Sequence, residues 1–285
     1  MKKILVLGST GMLGHMVLKA LAQEKEWEVK GVDSRNFDVE TFTQQDVSVY
    51  EYVINCIGVL SGSDEAQMQA VNAEFPHRLA KATSAKIINM STDGVFSGRP
   101  SPHPLPKGEG GRRPGEGYDE DSPADSTDAY GKSKLEGEVN APNVINIRTS
   151  IIGSSPNKKK GLLEWFLSQP DGWVVKGFTN HIWNGVTTLQ FAQLCEKIIK
   201  TGAFNALRKE SSVFHFAPNG PMTKYELLVL FKKVFKKNIS VEPTEDPRGS
   251  VERVLKTKYE WLERLFSHGN NMEEALKQLN QFSPP

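Results

Sequence analysis

The sequence predicts an α/β protein, a doubly wound parallel sheet with a smaller C-terminal α/β lobe. Three observations carry that prediction. The run at 4–7 is continuously apolar and those at 52–59 and 86–90 are mostly so, as in strands buried on both faces of a parallel sheet. Stretches with helical apolar spacing lie between them. The first apolar run also passes directly into a glycine-bearing turn, Gly8-Ser9-Thr10-Gly11-Met12-Leu13-Gly14, and then into a helix.

Composition narrows the field. The chain has 285 residues, enough for one large domain or a main domain with a smaller lobe. Its formal net charge is +1, which gives no bulk attraction to nucleic acid or to an anionic membrane surface. Cys56 and Cys195 sit in apolar surroundings with no CxxC or Cys/His spacing. That argues against a disulfide framework or a zinc site and suits a reducing cytoplasm. No metal-ligand spacing is visible, so no metal is expected. The run Ile4–Leu7 is too short for a signal peptide and breaks at Gly8. No later stretch is long and apolar enough to span a bilayer.

The elements follow in order. Ile4–Leu7 is the first strand, and Met16, Val17, Leu18, Ala20 and Leu21 form the apolar stripe of the first helix. Between them, Gly8, Gly11 and Gly14 permit a tight turn and close approach of a ligand to the backbone. The helix start offers N–H groups and a positive dipole end to a pyrophosphate. A glycine turn in this context predicts dinucleotide binding. Residues 27–32 form the second strand and end at Asp33, about where an acidic residue meets the adenosine ribose. Asp33 favours NAD, whereas Arg35 suits the 2′-phosphate of NADP; both cofactors stay open. Residues 52–59 form the third strand, and Gly58-Val59-Leu60 should lie at the carboxyl edge of the sheet beside the cofactor. Residues 65–84 read as one helix, with Asn72 either a surface amide or a structural group near the site. Residues 86–90 form the next strand and run into Ser91-Thr92-Asp93. Thr92 is thereby placed at the ligand edge, where its hydroxyl can serve a substrate carbonyl or cap a turn.

Residues 98–117 are rich in glycine and proline and have no apolar period. They read as an exposed, disordered loop. Tyr130-Gly131-Lys132-Ser133-Lys134 then opens a helix. Residues four apart share a helix face, so Tyr130 and Lys134 point the same way. A phenol has a pKa of about 10 and a neighbouring ammonium lowers it, which makes a usable acid–base group. Helices are expected at 162–167, 188–199, 222–235 and 272–282, and a strand at 213–217. The lysines at 232, 233, 236 and 237 read as a solvated face near a helix C-terminus. His181 lies in a polar, aromatic segment and reads as a structural donor. Arg248 and Arg253 are candidates to reach a diphosphate.

Gly8-x-x-Gly11-Met12-Leu13-Gly14, Ser91-Thr92-Asp93-x-Val95-Phe96 and Tyr130-x-x-x-Lys134-x-x-Gly137-Glu138, in that order, resemble the extended short-chain dehydrogenase/reductases. More narrowly they resemble the dTDP-4-dehydrorhamnose reductase group, as does Asn146-Ile147-Arg148-Thr149-Ser150. The resemblance covers roughly residues 1–200. It implies a Rossmann-type NAD(P) domain over 1–150 and a substrate lobe over 151–285, interleaved with it. It implies reduction of the 4-keto group of a nucleotide-activated deoxysugar, for surface polysaccharide precursors, with reduced NADP or NAD as hydride donor. Tyr130 would donate the proton. Lys134 would lower its pKa and hold the nicotinamide ribose. Thr92 would polarise the carbonyl and Asp93 would touch the sugar. Gly11, Met12 and Leu13 would face the pyrophosphate. Asp33 and Asp38-Val39 would flank the adenosine, and Gly58-Val59-Leu60 the nicotinamide.

Two departures concern the sugar. Gly94 stands where that group usually carries tyrosine, and Ile151 and Gly153 replace aromatics that shape the sugar pocket. The identity of the sugar is left open. An epimerase, which keeps its cofactor through turnover, is an alternative. So is a non-catalytic subunit that binds NAD(P) or a sugar nucleotide and regulates a partner, although such a module has no need of Thr92, Tyr130 and Lys134 together. A dehydratase would carry an Asp-Glu pair after Thr92, where this chain has Asp93-Gly94. A homodimer is compatible with the reading.

Overall fold

The computed structural model describes residues 1–60, 64–99, 116–156, 161–259, 261–262 and 271–284. Five strands of the N-terminal half are β1 (Lys2–Leu7), β2 (Trp27–Val32), β3 (Tyr52–Asn55), β4 (Lys86–Met90) and β5 (Val144–Arg148). They join Val213–His215 in a six-stranded sheet. Its order is Val213–His215, β5, β4, β3, β1, β2, and every pairing is parallel. The sheet covers the predicted α/β class, and its outer strand comes from far along the chain.

The continuous apolar runs have the expected cause. Alternate strand residues point to opposite faces. Ile4, Val6, Ile54, Ile88, Ile145 and Ile147 enter one core, with helix α1 (Gly14–Leu21) and the helix Thr188–Thr201. Leu5, Leu7, Val53, Ile87 and Val144 enter the other, with Phe75 and Leu79. Both faces are covered, so the strands are largely apolar, and a polar side chain on them must find a hydrogen-bond partner.

The chain leaves β1 for β2 on one side and returns to β3 on the other. The switch point between β1 and β3 is where open α/β sheets bind ligands. The loops after β1, β3 and β4 all emerge at that edge, since Leu7 pairs with Asn55 and Asn55 with Asn89.

Several local readings change. The third strand ends at Asn55 rather than near residue 59, so residues 56–60 are an irregular loop at the edge. The helical run over 65–84 is three pieces, Glu65–Met68, a π-helical turn at Gln69–Glu74, and Phe75–Ala82. Pro76 explains the break. It has no N–H for the carbonyl four residues back, that of Asn72, and its ring crowds that carbonyl. The expected helix over 222–235 begins at Lys224; Met222–Thr223 instead pairs antiparallel with His181–Trp183. Unforeseen parallel pairs join Val174–Phe178 to Ser240–Thr244, His181–Trp183 to Val251–Arg253, and Ile151–Ile152 to Val186–Thr187.

Residues 100–115 of the glycine- and proline-rich stretch lie outside the described residues. Its two ends are anchored. The Gly98 carbonyl accepts from Glu252 N–H at 2.6 Å, and Tyr118 N–H donates to Val254 at 2.7 Å. Gly98 and Gly117 take φ of +70° and +57°, which only glycine adopts without strain.

Candidate active site

The glycine turn after β1 is built for close approach. Gly8 has φ +77° and a Cβ there would sit 3.2 Å from the Cys56 carbonyl at the end of β3. A Cβ on Gly14 would lie 2.1 Å from the Gly8 carbonyl oxygen, so only glycine lets α1 start against the turn. Gly11 N–H closes the turn on Gly8 O at 2.9 Å. No side chain caps the start of α1. Leu13 is buried, and Met12 reaches toward Gly161. This glycine-bearing turn, with no side chain capping the helix start, fits a pyrophosphate.

At the end of β2 the two conflicting signals are bound to each other. Arg35 Nη2 lies 2.6 Å from Asp33 Oδ2, and Arg35 Nε donates to Asp33 Oδ1 at 3.0 Å. Asp33 is buried while Arg35 is 82% exposed. The Arg35 side chain, with its backbone N–H next, holds the Asp33 carboxyl down at about 2, so it is ionised at any working pH. Asp38 is exposed, and its carboxylate closes a local turn on Glu40 N–H at 2.8 Å. Val39 packs beside Phe37 and Phe42 on the core below.

The loop carrying Gly58, Val59 and Leu60 is held by Asn72. Asn72 Oδ1 accepts from Val59 N–H and its Nδ2 donates to Val59 O, both at 2.9 Å. Asn72 Nδ2 also donates to Ser133 Oγ at 3.1 Å. Asn72 thus ties the loop after β3 to the helix Ala129–Glu136. A Cβ on Gly137 would lie 1.9 Å from the Asn72 carbonyl oxygen, so the helix end seats directly on the π-turn. Leu60 is 58% exposed at the loop tip.

The end of β4 is stitched to the same helix by three successive residues. Asn89 Nδ2 donates to Gly137 O at 3.1 Å. The Met90 carbonyl accepts from Lys134 Nζ at 2.6 Å. Ser91 Oγ donates to Glu138 Oε1 at 2.6 Å. Arg148 completes the seam with two bonds to Glu138, both at 2.7 Å. Behind it, His215 Nδ1 lies 2.9 Å from the Lys256 carbonyl, so that nitrogen carries the proton; Nε2 then faces Arg148 Nη1 as an acceptor at 3.4 Å. Burial keeps His215 neutral, in agreement with this tautomer. Three buried asparagines, Asn55, Asn89 and Asn146, bond side by side across β3, β4 and β5 at 2.8 and 2.9 Å.

This frame brings Thr92, Asp93, Tyr130 and Lys134 together. Asp128 caps their helix, accepting from Gly131 N–H at 2.8 Å. A Cβ on Gly94 would touch both Thr92 Oγ1 (3.2 Å) and Tyr130 Cε1 (3.4 Å), so the two hydroxyl-bearing side chains flank one point. Burial pushes the Tyr130 phenol above its ordinary value; the Thr92 hydroxyl pulls it down, Asp93 and Asp128 push it up, and Arg253 pulls it down. The cation bearing on the phenol is therefore Arg253. Lys134 is turned onto the Met90 carbonyl, and burial lowers its pKa to about 8 against the pull of Glu138 and Cys56.

The C-terminal lobe adds groups that sequence reasoning missed. Lys224 Nζ lies 4.6 Å from the centre of the Trp183 ring. Lys224 and Arg253 are the cations facing the buried Asp93. Trp183 Nε1 and Arg253 Nε are buried donors with no protein acceptor. Nothing local marks Lys224, which opens a helix remote in sequence. Arg253 joins the site and Arg248 does not: Arg248 is 80% exposed and bound to Asp246. His181 Nε2 lies 3.2 Å from Asp246 Oδ2. Ile151 is half-buried in its short strand, packed on the main core. Among the described residues no group of three or more His, Cys, Asp or Glu gathers as a metal site, and no helix is long and apolar enough to cross a membrane.

Comparison with known proteins bears on this set. The chain matches the model of the RmlD substrate binding domain over residues 1–253. It is 30% identical over 146 residues to a probable dTDP-4,6-dihydroxy-2-methyloxan-3-one 4-ketoreductase of Streptomyces antibioticus, covering 47% of this chain and 44% of that protein. The match therefore spans less than half of that relative's length. It is 24% identical over 275 residues to methionine adenosyltransferase 2 subunit beta of Danio rerio, covering 87% and 79%. Its fold superposes with a TM-score of 0.75 on dTDP-4-dehydrorhamnose reductase from Bacillus anthracis str. Ames in complex with NADP, at 20% identity and 98% coverage of both chains.

Proposed function

The chain belongs to the RmlD substrate binding domain family, and on that premise we propose that it is a reductase of a nucleotide-activated 4-keto sugar, acting in the cytoplasm. The observation that carries this reading is the convergence of Thr92 and Tyr130 on one point at the carboxyl edge of the sheet, with Lys134 one turn along. The residues 1–150 serve the dinucleotide and 151–285 the sugar nucleotide.

The bare turn from Gly8 to Gly14 fits a pyrophosphate, and Asp33 with Arg35 meets the adenosine ribose. When bound, the reduced nicotinamide cofactor supplies a hydride to the carbonyl carbon. This chain's residues do the rest. Tyr130 gives its proton to the carbonyl oxygen, and Thr92 holds that oxygen in place. Lys134, whose ammonium bonds Met90 O, would hold the nicotinamide ribose and stabilise the phenolate that forms as the proton leaves. Lys224, Arg253 and the Trp183 N–H offer donors to the anionic portion of the substrate.

The test mixes purified protein with NADPH, or separately NADH, and a panel of 4-keto-6-deoxy nucleotide sugars, and follows loss of the reduced cofactor. Oxidation that requires both sugar and Tyr130 supports the reading; Tyr130→Phe should reduce turnover by roughly 10²–10⁴-fold. A second reading, a non-catalytic NAD(P)-binding subunit, is favoured by the long match to an adenosyltransferase beta subunit. Intact cofactor binding with no oxidation across the panel would shift the conclusion to it.

A further inference from the structure

Most glycines of this chain are demanded by the fold. Among the described residues nearly all either take a positive φ or leave under 3 Å between a Cβ and a neighbouring atom. Four do neither: Gly11, Gly58, Gly94 and Gly220. Gly220 faces open space, and Gly11 and Gly58 lie in the turn and the loop proposed to meet the cofactor. Gly94 is different. It is buried, yet the three atoms nearest a Cβ there all belong to side chains. They come from the two residues that the reductase reading puts to work. Thr92 Oγ1 lies 3.2 Å from the Cβ position, Thr92 Cγ2 3.4 Å and Tyr130 Cε1 3.4 Å. Carbon atoms pack best at about 3.5–4.0 Å, so a methyl there would displace both side chains by a few tenths of an ångström.

The backbone of Gly94 supports the same pair. Its N–H donates to Thr92 Oγ1 at 3.0 Å and so orients the hydroxyl. Its carbonyl oxygen lies 2.2 Å from where Gly131 would carry a Cβ, and Ser126 Oγ lies 2.1 Å from that position, so no side chain fits at 131. Gly131 follows Tyr130 in the helix Ala129–Glu136. The next residue along the turn, Val95, accepts through its carbonyl from Asp125 N–H at 3.2 Å and Ser126 N–H at 3.0 Å. The turn after β4 and the start of the helix are thus pressed together at two bare residues. That contact fixes how far apart Thr92 and Tyr130 stand.

From this packing we propose that Gly94 is a positioning residue: its bare α-carbon, seated with Gly131, sets the gap across which Thr92 and Tyr130 reach one carbonyl oxygen. This deepens the reductase reading and rests on it. Gly94 acts through its two neighbours and touches no reacting atom. Both hydroxyls must come within about 2.6–3.2 Å of the same oxygen. A misplacement of about 1 Å costs about 10²-fold in rate, so a few tenths should cost about tenfold.

Gly94→Ala tests this. The φ at 94 is not positive, so alanine adopts the backbone without strain, and the N–H to Thr92 is kept. With NADPH and the 4-keto nucleotide sugar that wild type reduces, kcat should fall by about tenfold while each KM stays within about threefold. The urea midpoint should match wild type. Thr92→Ser removes Cγ2, one of the atoms the new methyl meets. The cost of Gly94→Ala should therefore be about threefold smaller in a Thr92→Ser background. An unchanged kcat overturns the assignment, as does an equal cost in both backgrounds. A rise in KM alone overturns it too, by giving the space to the substrate, and a lowered urea midpoint with slower turnover does so by giving Gly94 a role in stability. A second measurement needs no turnover: in crystal structures of the two proteins, Thr92 Oγ1 and Tyr130 Oη should stand a few tenths of an ångström further apart in Gly94→Ala. An unchanged separation overturns the positioning. Wild-type protein that oxidises no reduced cofactor with any 4-keto sugar overturns the reductase reading instead, and the two structures then decide the positioning alone.

Discussion

Lys134 shows what a buried ammonium costs the fold. The residue is 6% exposed, and burial takes the pKa of its ammonium from 10.5 to about 8. The folded value lies below the unfolded one, so between these values the unfolded chain binds more protons. Stability therefore rises with pH through that window, and the penalty is complete below about pH 8. Lys134→Met should raise stability near pH 7 by about 2 kcal/mol, after allowing for the lost bond to Met90 O, with the gain fading by the upper end of the window. Chemical denaturation at a series of pH values measures this; a destabilised variant at pH 7 would show that the ammonium is paid for elsewhere. In the proposed reading the Asp33–Arg35 pair meets the adenosine end of the cofactor. Arg35→Ala should weaken NADP binding by roughly tenfold while NAD binding holds, because the exposed guanidinium is the charge available to a 2′-phosphate. Fluorescence titration with each nucleotide reads this directly, and equal losses for both would refute it.

At the scale of elements, the helix Ala129–Glu136, which carries Tyr130 and Lys134, is placed by bonds at both its flanks. Asn72 clasps it from the π-turn, and β4 clasps it through Asn89, Met90 and Ser91. Asn72→Ala leaves the Val59 N–H and carbonyl without partners and should cost about 2–4 kcal/mol, with turnover falling alongside. A urea midpoint unchanged in that variant would mean that water replaces the amide. Gly137→Ala acts at the same contact, since its Cβ would meet the Asn72 carbonyl at 1.9 Å. Arg148→Met strands Glu138 in a buried site and should destabilise by about 3–5 kcal/mol. The break that creates the π-turn was readable in principle, because Pro76 cannot complete an α-helix through residue 72. Apolar spacing alone hides it, since Val71, Leu79 and Ala82 read as one continuing helical pattern.

Across the whole molecule, the sheet is completed by Val213–His215. This strand bonds β5, and its His215 backs the Arg148–Glu138 pair. A chain whose outer strand comes from its second half should unfold as one unit. Calorimetry should give a single transition with calorimetric and van't Hoff enthalpies in a ratio of about 1. Two separate transitions would mean that the halves fold independently. Within this whole, the sequence by itself determined the parallel α/β class, the glycine turn, and the order of Thr92, Tyr130 and Lys134. Those features depend on residues close along the chain: buried strands must be continuously apolar, a tight turn needs glycine, and helix spacing sets which side chains share a face. Only the tertiary structure decided that Asp33 and Arg35 hold each other, that Asn72 is a clasp, and that Lys224 and Arg253 face Asp93 across more than 100 residues of chain. The reason is physical. Charges and hydrogen bonds act over a few ångströms in space, and the sheet register, not sequence distance, determines which groups come that near.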